Sequence, residues 1–135
     1  MRRYIIHSYE LPTYAPPAHS HTRNRRLLGP GPLGSDRMEV VLGEIEYGGQ
    51  VDPHSHSGVE QAFFVIQGKA VLEIEGQSEI VGPEDFIYLP AGASHRVTPL
   101  EGPPLKLLIL YAPPLSSSPK SRQQKKSPKG IKVKR

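Results

Sequence analysis

His54 and His56 stand two positions apart in the stretch Gly49-Gln50-Val51-Asp52-Pro53-His54-Ser55-His56. In an extended strand alternate side chains share a face, so the two imidazoles project together while Ser55 points away. Two imidazoles on one face make half of a metal site. A third, His95, follows the turn Pro90-Ala91-Gly92-Ala93-Ser94, where the chain is being redirected. Imidazole suits zinc, nickel, copper and iron, and catalytic centres typically keep a position open for water or substrate. Cysteine is absent, which removes both thiolate ligation and disulfides. The chemistry these residues point to is that of a bound metal.

Gly48, His54, His56, Gln61 and Gly68 resemble the first of two motifs of the cupin family, and Pro90, Gly92 and His95 resemble the second. The resemblance spans roughly residues 38–114. It implies an all-β fold, a double-stranded β-helix or jelly-roll barrel, holding a divalent metal ion (zinc, nickel, manganese or iron). By position, the resemblance makes His54, His56, Gln61 and His95 the ligands. The family more commonly has Glu at the third of these positions, and Glu60 lies next door. Gln61 keeps the family's spacing, with residues 62–67 between it and Gly68, and Glu60 does not. A one-residue slip along a strand would turn the side chain to the other face. A Gln ligand is neutral, so the metal's charge stays unneutralised, which sharpens it as a Lewis acid and acidifies bound water. The Asn that often follows the second motif is replaced here by Arg96-Val97-Thr98-Pro99.

The functional expectation is a small metal-dependent enzyme acting on an oxygen-rich or anionic small molecule as isomerase, lyase, hydrolase or dioxygenase. The alternative is a non-catalytic module that binds or senses such a molecule, because a shared fold does not decide function. No residue is singled out as catalytic. Tyr47, Phe63, Tyr88 and Tyr111 are candidates to line a pocket, and Phe63 shares strand parity with Gln61. A second pair, His19 and His21, lacks a third ligand. Arg23, Arg25 and Arg26 beside it offer guanidinium groups that can clamp a carboxylate.

These groups need a rigid frame, and the chain is punctuated like one built of short strands. It has 15 Pro and 13 Gly in 135 residues, and no stretch with a ten-residue amphipathic helical pattern. Strands are expected at 38–47, 61–67, 69–75, 78–81, 86–89, 95–98 and 105–112, each closed by Gly or Pro. That rhythm suits a sandwich or barrel. The continuous apolar runs at 63–66 and 107–110 suit strands buried on both faces. Residues 1–37 are expected to form an arm with short strands near Tyr4-Ile5-Ile6 and Arg25-Arg26-Leu27-Leu28. The arm is long enough to pair with a second subunit's sheet edge, so a homodimer is expected. The barrel is expected over 38–115.

The formal charge of +4 divides unevenly along the chain. Residues 116–135 carry eight basic residues and no acid, which leaves residues 1–115 with nine basic against 13 acidic, a net −4. The basic tail is expected to be disordered, since Ile131 and Val133 are its only apolar residues. Nucleic-acid binding therefore cannot be read from the overall charge, and any contact by the tail would be non-specific. No apolar run approaches a membrane span, and the start lacks a signal-peptide pattern, which together suggest a cytoplasmic protein.

Overall fold

The computed structural model describes residues 4–17, 19–31, 34–54 and 56–115, with the side chains of residues 50–54 excepted. The described residues form eight strands: β1 (His19–Leu28), β2 (Glu39–His54), β3 (Glu60–Gln67), β4 (Ala70–Ile74), β5 (Gln77–Val81), β6 (Phe86–Leu89), β7 (His95–Pro99) and β8 (Leu105–Ala112). All pairings are antiparallel, in the order β5-β4-β7-β2-β8-β3-β6, with β1 on the other edge of β2. This is the expected jelly-roll barrel. One short 3-10 turn, Ser8–Glu10, is its only helical element of more than one residue among the described residues, and no described helix is long and apolar enough to cross a membrane.

β2 runs past the Gly48-Gly49 pair that was expected to end it. Its first half pairs with β8 (Glu39↔Tyr111 to Ile45↔Leu105) and its second with β7 (Val51↔Val97, His54↔His95). Gly48, at φ +92, takes a backbone conformation that side-chain-bearing residues rarely adopt. The strand therefore bends there without stopping, and one strand joins two walls. Alternate residues of the first wall fill the barrel: Val41 and Ile45 of β2, Phe63 and Val65 of β3, Leu105, Leu107 and Ile109 of β8. Ala70, Leu72 and Val97 meet them from the second.

The runs 63–66 and 107–110 are not buried on both faces. Phe64 and Ile66 remain 39 % and 47 % exposed, and Leu108 and Leu110 are half-buried. Among the described residues, no second layer covers the outer side of this wall. The expected short strand at Tyr4-Ile5-Ile6 is also not present; those residues are exposed and outside any strand. The later arm strand is longer than expected, because all of β1 pairs along β2 of the same chain. Tyr14 bridges Asn24, and Arg25 Nε donates to the Leu11 carbonyl at 3.3 Å, folding the arm onto its own barrel. Residues 116–135, including the tail expected to be disordered, lie outside the described residues.

Candidate metal centre

The two motifs meet through the backbone. His54, the last residue of β2, is the Cα partner of His95, the first of β7. His54's side chain lies outside the described residues. His56 follows the end of β2 and is not part of a continuous strand. Its carbonyl accepts a hydrogen bond from Gly92 N–H at 2.9 Å, which ties the first motif to the turn of the second. The opposite side of that turn is held by Glu75: its carboxylate accepts from Ser94 N–H at 2.7 Å, and its own N–H donates to Ser94 O at 2.9 Å.

His95 is buried at 3 % exposure, and its ring lies 6.3 Å from that of His56, centre to centre. A common ion held by bonds of about 2.1 Å at ordinary ligand angles would draw the two rings closer together than this. His95 Nδ1 is 3.2 Å from the Ala93 carbonyl. A carbonyl only accepts, so this contact selects the Nδ1–H tautomer and leaves the lone pair on the buried Nε2. That is the nitrogen a metal would use. Gln61 is 6 % exposed, on the inward side of β3 with Phe63, whose ring meets His95 edge-on at 5.9 Å. Glu60 points the other way: it is exposed, and it hydrogen-bonds the Tyr88 hydroxyl. The donor set at this end of the barrel suits a borderline divalent ion. Among the described residues no three His, Asp or Glu side chains cluster into a cation cage; the set also relies on an amide and on His54.

Tyr111 joins this centre to a second group of polar residues. Its ring meets His56 edge-on at 6.2 Å, and its backbone pairs with both Gln61 and Glu39. Burial pushes its phenol well above the ordinary tyrosine range, helped by the nearby Tyr14 and Glu39. Beyond it a cleft of about 380 Å³ is lined by Pro12, Tyr14, Arg26 and Glu39. Glu39 is 6 % exposed; its carboxylate sits 3.4 Å from Arg26 Nε and accepts from Leu115 N–H at 2.9 Å. Tyr14 is also raised, by burial first and then by Glu39, against the opposing pull of a hydrogen bond with Asn24 and of Arg26.

Sequence reasoning missed Glu39 and Tyr14. The signal was available for Glu39, which shares inward parity with Val41 and Ile45: a carboxylate on an apolar face. Tyr14 had none, since it reaches the cleft only through the fold of the arm. Tyr47 and Tyr88, by contrast, are 59 % and 52 % exposed. His21 sits at a bulge with φ 53 and is exposed, while His19 is half-buried, so the pair does not share one environment. Arg23 pairs with Glu44 at 3.1 Å.

A family model described as "Cupin domain" matches residues 41–111, just over half of the chain. The Beta-D-galactosidase Rv1717 of Mycobacterium tuberculosis is 25% identical over 112 residues, covering 83% of this chain and 96% of that protein. Among solved structures, the polyketide cyclase RemF from Streptomyces resistomycificus superposes with a TM-score of 0.71 at 24% identity, covering 95% of this chain and 94% of its own. A predicted oxalate decarboxylase from Thermotoga maritima superposes with a TM-score of 0.72 at 16% identity, covering 80% and 97%. At these identities the two structures share the fold with this chain.

Proposed function

We propose that this chain, which belongs to the cupin family, is a small metal-dependent enzyme acting on an oxygen-rich small molecule. The observation that supports the reading is the approach of buried His95 to His56, with His95 held in the tautomer that presents Nε2 and Gln61 buried on the inward side of β3. His54, His56, Gln61 and His95 would hold the ion. When bound, it would supply Lewis-acid polarisation of a substrate oxygen and an acidified water. Three imidazoles and an amide bring no negative charge, which favours an anionic or hydroxyl-rich partner.

The chain's own residues do the rest. Tyr111, kept protonated by burial, is a hydrogen-bond donor between the centre and the cleft. The Arg26 guanidinium, the Tyr14 hydroxyl and the Glu39 carboxylate suit the far end of a polyol or sugar acid. The galactosidase relative supports a carbohydrate. One observation favours binding without turnover: Glu39, the only carboxylate among the described residues lining the cleft, is occupied by Arg26 and Leu115 and is poorly placed to move a proton.

Metal analysis of protein purified without nickel chromatography tests the first step. A stoichiometric divalent metal lost in a His95→Ala variant supports the centre, and a metal-free protein that takes up none on titration sinks it. Iron would direct the chemistry to dioxygenation; zinc, nickel or manganese would direct it to non-redox steps. Assay of the metal-loaded protein on an aryl β-D-galactoside and on hexuronic acids then separates turnover from binding.

A further inference from the structure

Two opposite charges face the cleft beyond Tyr111, and the way they are held decides what can enter it. Arg26 and Glu39 are the charged residues among the described ones that line it, with Tyr14 and Pro12 of the arm as the other walls. The neighbouring cations on β1 are engaged elsewhere, Arg23 with Glu44 at 3.1 Å and Arg25 with the Leu11 carbonyl at 3.3 Å. Tyr14 and Tyr111 add phenols that burial keeps protonated. The cleft therefore holds a balanced pair. Arg26 turns its Nε edge to Glu39 at 3.4 Å, and its guanidinium lies against Gly29, where an added Cβ would come within 2.8 Å of Cζ. Glu39 is the deeper partner, its side chain 8 % exposed against 39 % for Arg26. A guanidinium edge already held by the protein offers a ligand carboxylate one fork fewer.

Resting on the reading that this cleft receives the far end of the substrate, the geometry points to Glu39 as a specificity-determining residue, one that admits the hydroxyls of a neutral sugar and turns away a carboxylate. A hydroxyl both donates and accepts. A vicinal pair can therefore donate to the Glu39 carboxylate and accept from the Arg26 guanidinium or the Tyr14 hydroxyl. A carboxylate has about four acceptor positions, more than the Arg26 Nε and Leu115 N–H contacts use. A ligand carboxylate, by contrast, has nothing to donate. To reach Arg26 it must lie beside Glu39, and two carboxylates sharing a site oppose each other's ionisation. The pair also resists opening in its favour, because drawing Arg26 away would strip the buried Glu39 of a countercharge.

The test is calorimetric binding of two probes to the full chain, methyl β-D-galactoside and its uronate, which differ by a hydroxymethyl group against a carboxylate. Each is titrated with chelator present, which reads the cleft alone, and again with zinc, nickel or manganese added. In chelator, wild type should bind the neutral galactoside at least about tenfold more tightly than the uronate. Glu39→Gln keeps the shape and removes the charge. It should raise uronate affinity at least about tenfold and erase or reverse the preference. Should that variant fold poorly by circular dichroism, Arg26→Gln serves instead: it keeps Glu39 and should widen the gap between the probes. A wild type that binds both probes alike, or neither, overturns the proposal. So does a Glu39→Gln variant that melts earlier yet keeps the wild-type preference, since the carboxylate is then only a clasp for Arg26 and Leu115. The metal-centre reading fails separately, if none of the three metals changes either affinity while the preference in chelator stands.

Discussion

Gln61 and Glu60 are adjacent in sequence and opposite in environment, because strand parity sends one inward and the other to solvent. Gln61→Ala is therefore expected to weaken metal retention at least about tenfold, as the loss of a group at the ion does. Glu60→Ala should leave retention unchanged. Metal content after dialysis against a weak chelator reads both, and the reverse pattern would mean that another register holds in the protein. Tyr14 and Tyr111 carry a pH signature. Both phenols are raised above 10.0 in the folded chain, so the folded state holds its protons more tightly than the unfolded one. Stability from this source is intact below pH 10 and is lost as pH rises beyond it. Urea titrations from pH 8 to 11 should show that loss, and Tyr14→Phe should shrink it. An unchanged alkaline limb would argue against a protonated phenol in the cleft.

At the scale of elements, the centre depends on two turns more than on the strands they join. The turn before β7 is held to the β4–β5 turn through Glu75 and Ser94, and to His56 through Gly92. Glu75→Ala removes one charge-assisted bond, worth about 1–2 kcal/mol. It should lower the melting temperature modestly and also loosen metal binding, because His95 follows directly. A loss of stability with metal affinity intact would show that β7 alone positions His95. Gly68 is constrained differently. At φ +84, an added Cβ would lie 2.9 Å from Leu105 Cα and from Pro104 O, both backbone. Gly68→Ala should cost about 2 kcal/mol or more in chemical denaturation, with no effect on the centre beyond that.

For the whole molecule, charge and fold separate along the chain. Residues 1–115 carry a net −4, and the eight basic residues beyond them reverse the total. Leu115 is where the described structure ends, and its N–H is bound by Glu39. A 1–115 truncation should therefore keep the melting temperature within a few degrees and retain metal, while its isoelectric point falls from about 9.4 to the acidic range. Any nucleic-acid affinity of the full chain should disappear with the tail and fall steeply with salt. A truncation that melts early would mean the tail packs on the barrel.

The sequence by itself determined the strand rhythm, the barrel class and the inward parity of Gln61. Gly and Pro punctuate locally, and strand parity is set by a period of two that any reader can count. The Gln61 and Glu60 distinction was legible for that reason. What only the tertiary structure decided depends on pairings far apart in the chain. β2 passing through Gly48-Gly49 follows from having β8 on one side of the bend and β7 on the other. The cleft of Tyr14, Arg26 and Glu39 exists because the arm folds back across β1. The outer faces of 63–66 and 107–110 read as buried, since apolar composition records that a face avoids water. Composition does not record whether its cover comes from the same chain, and here the fold leaves that face open.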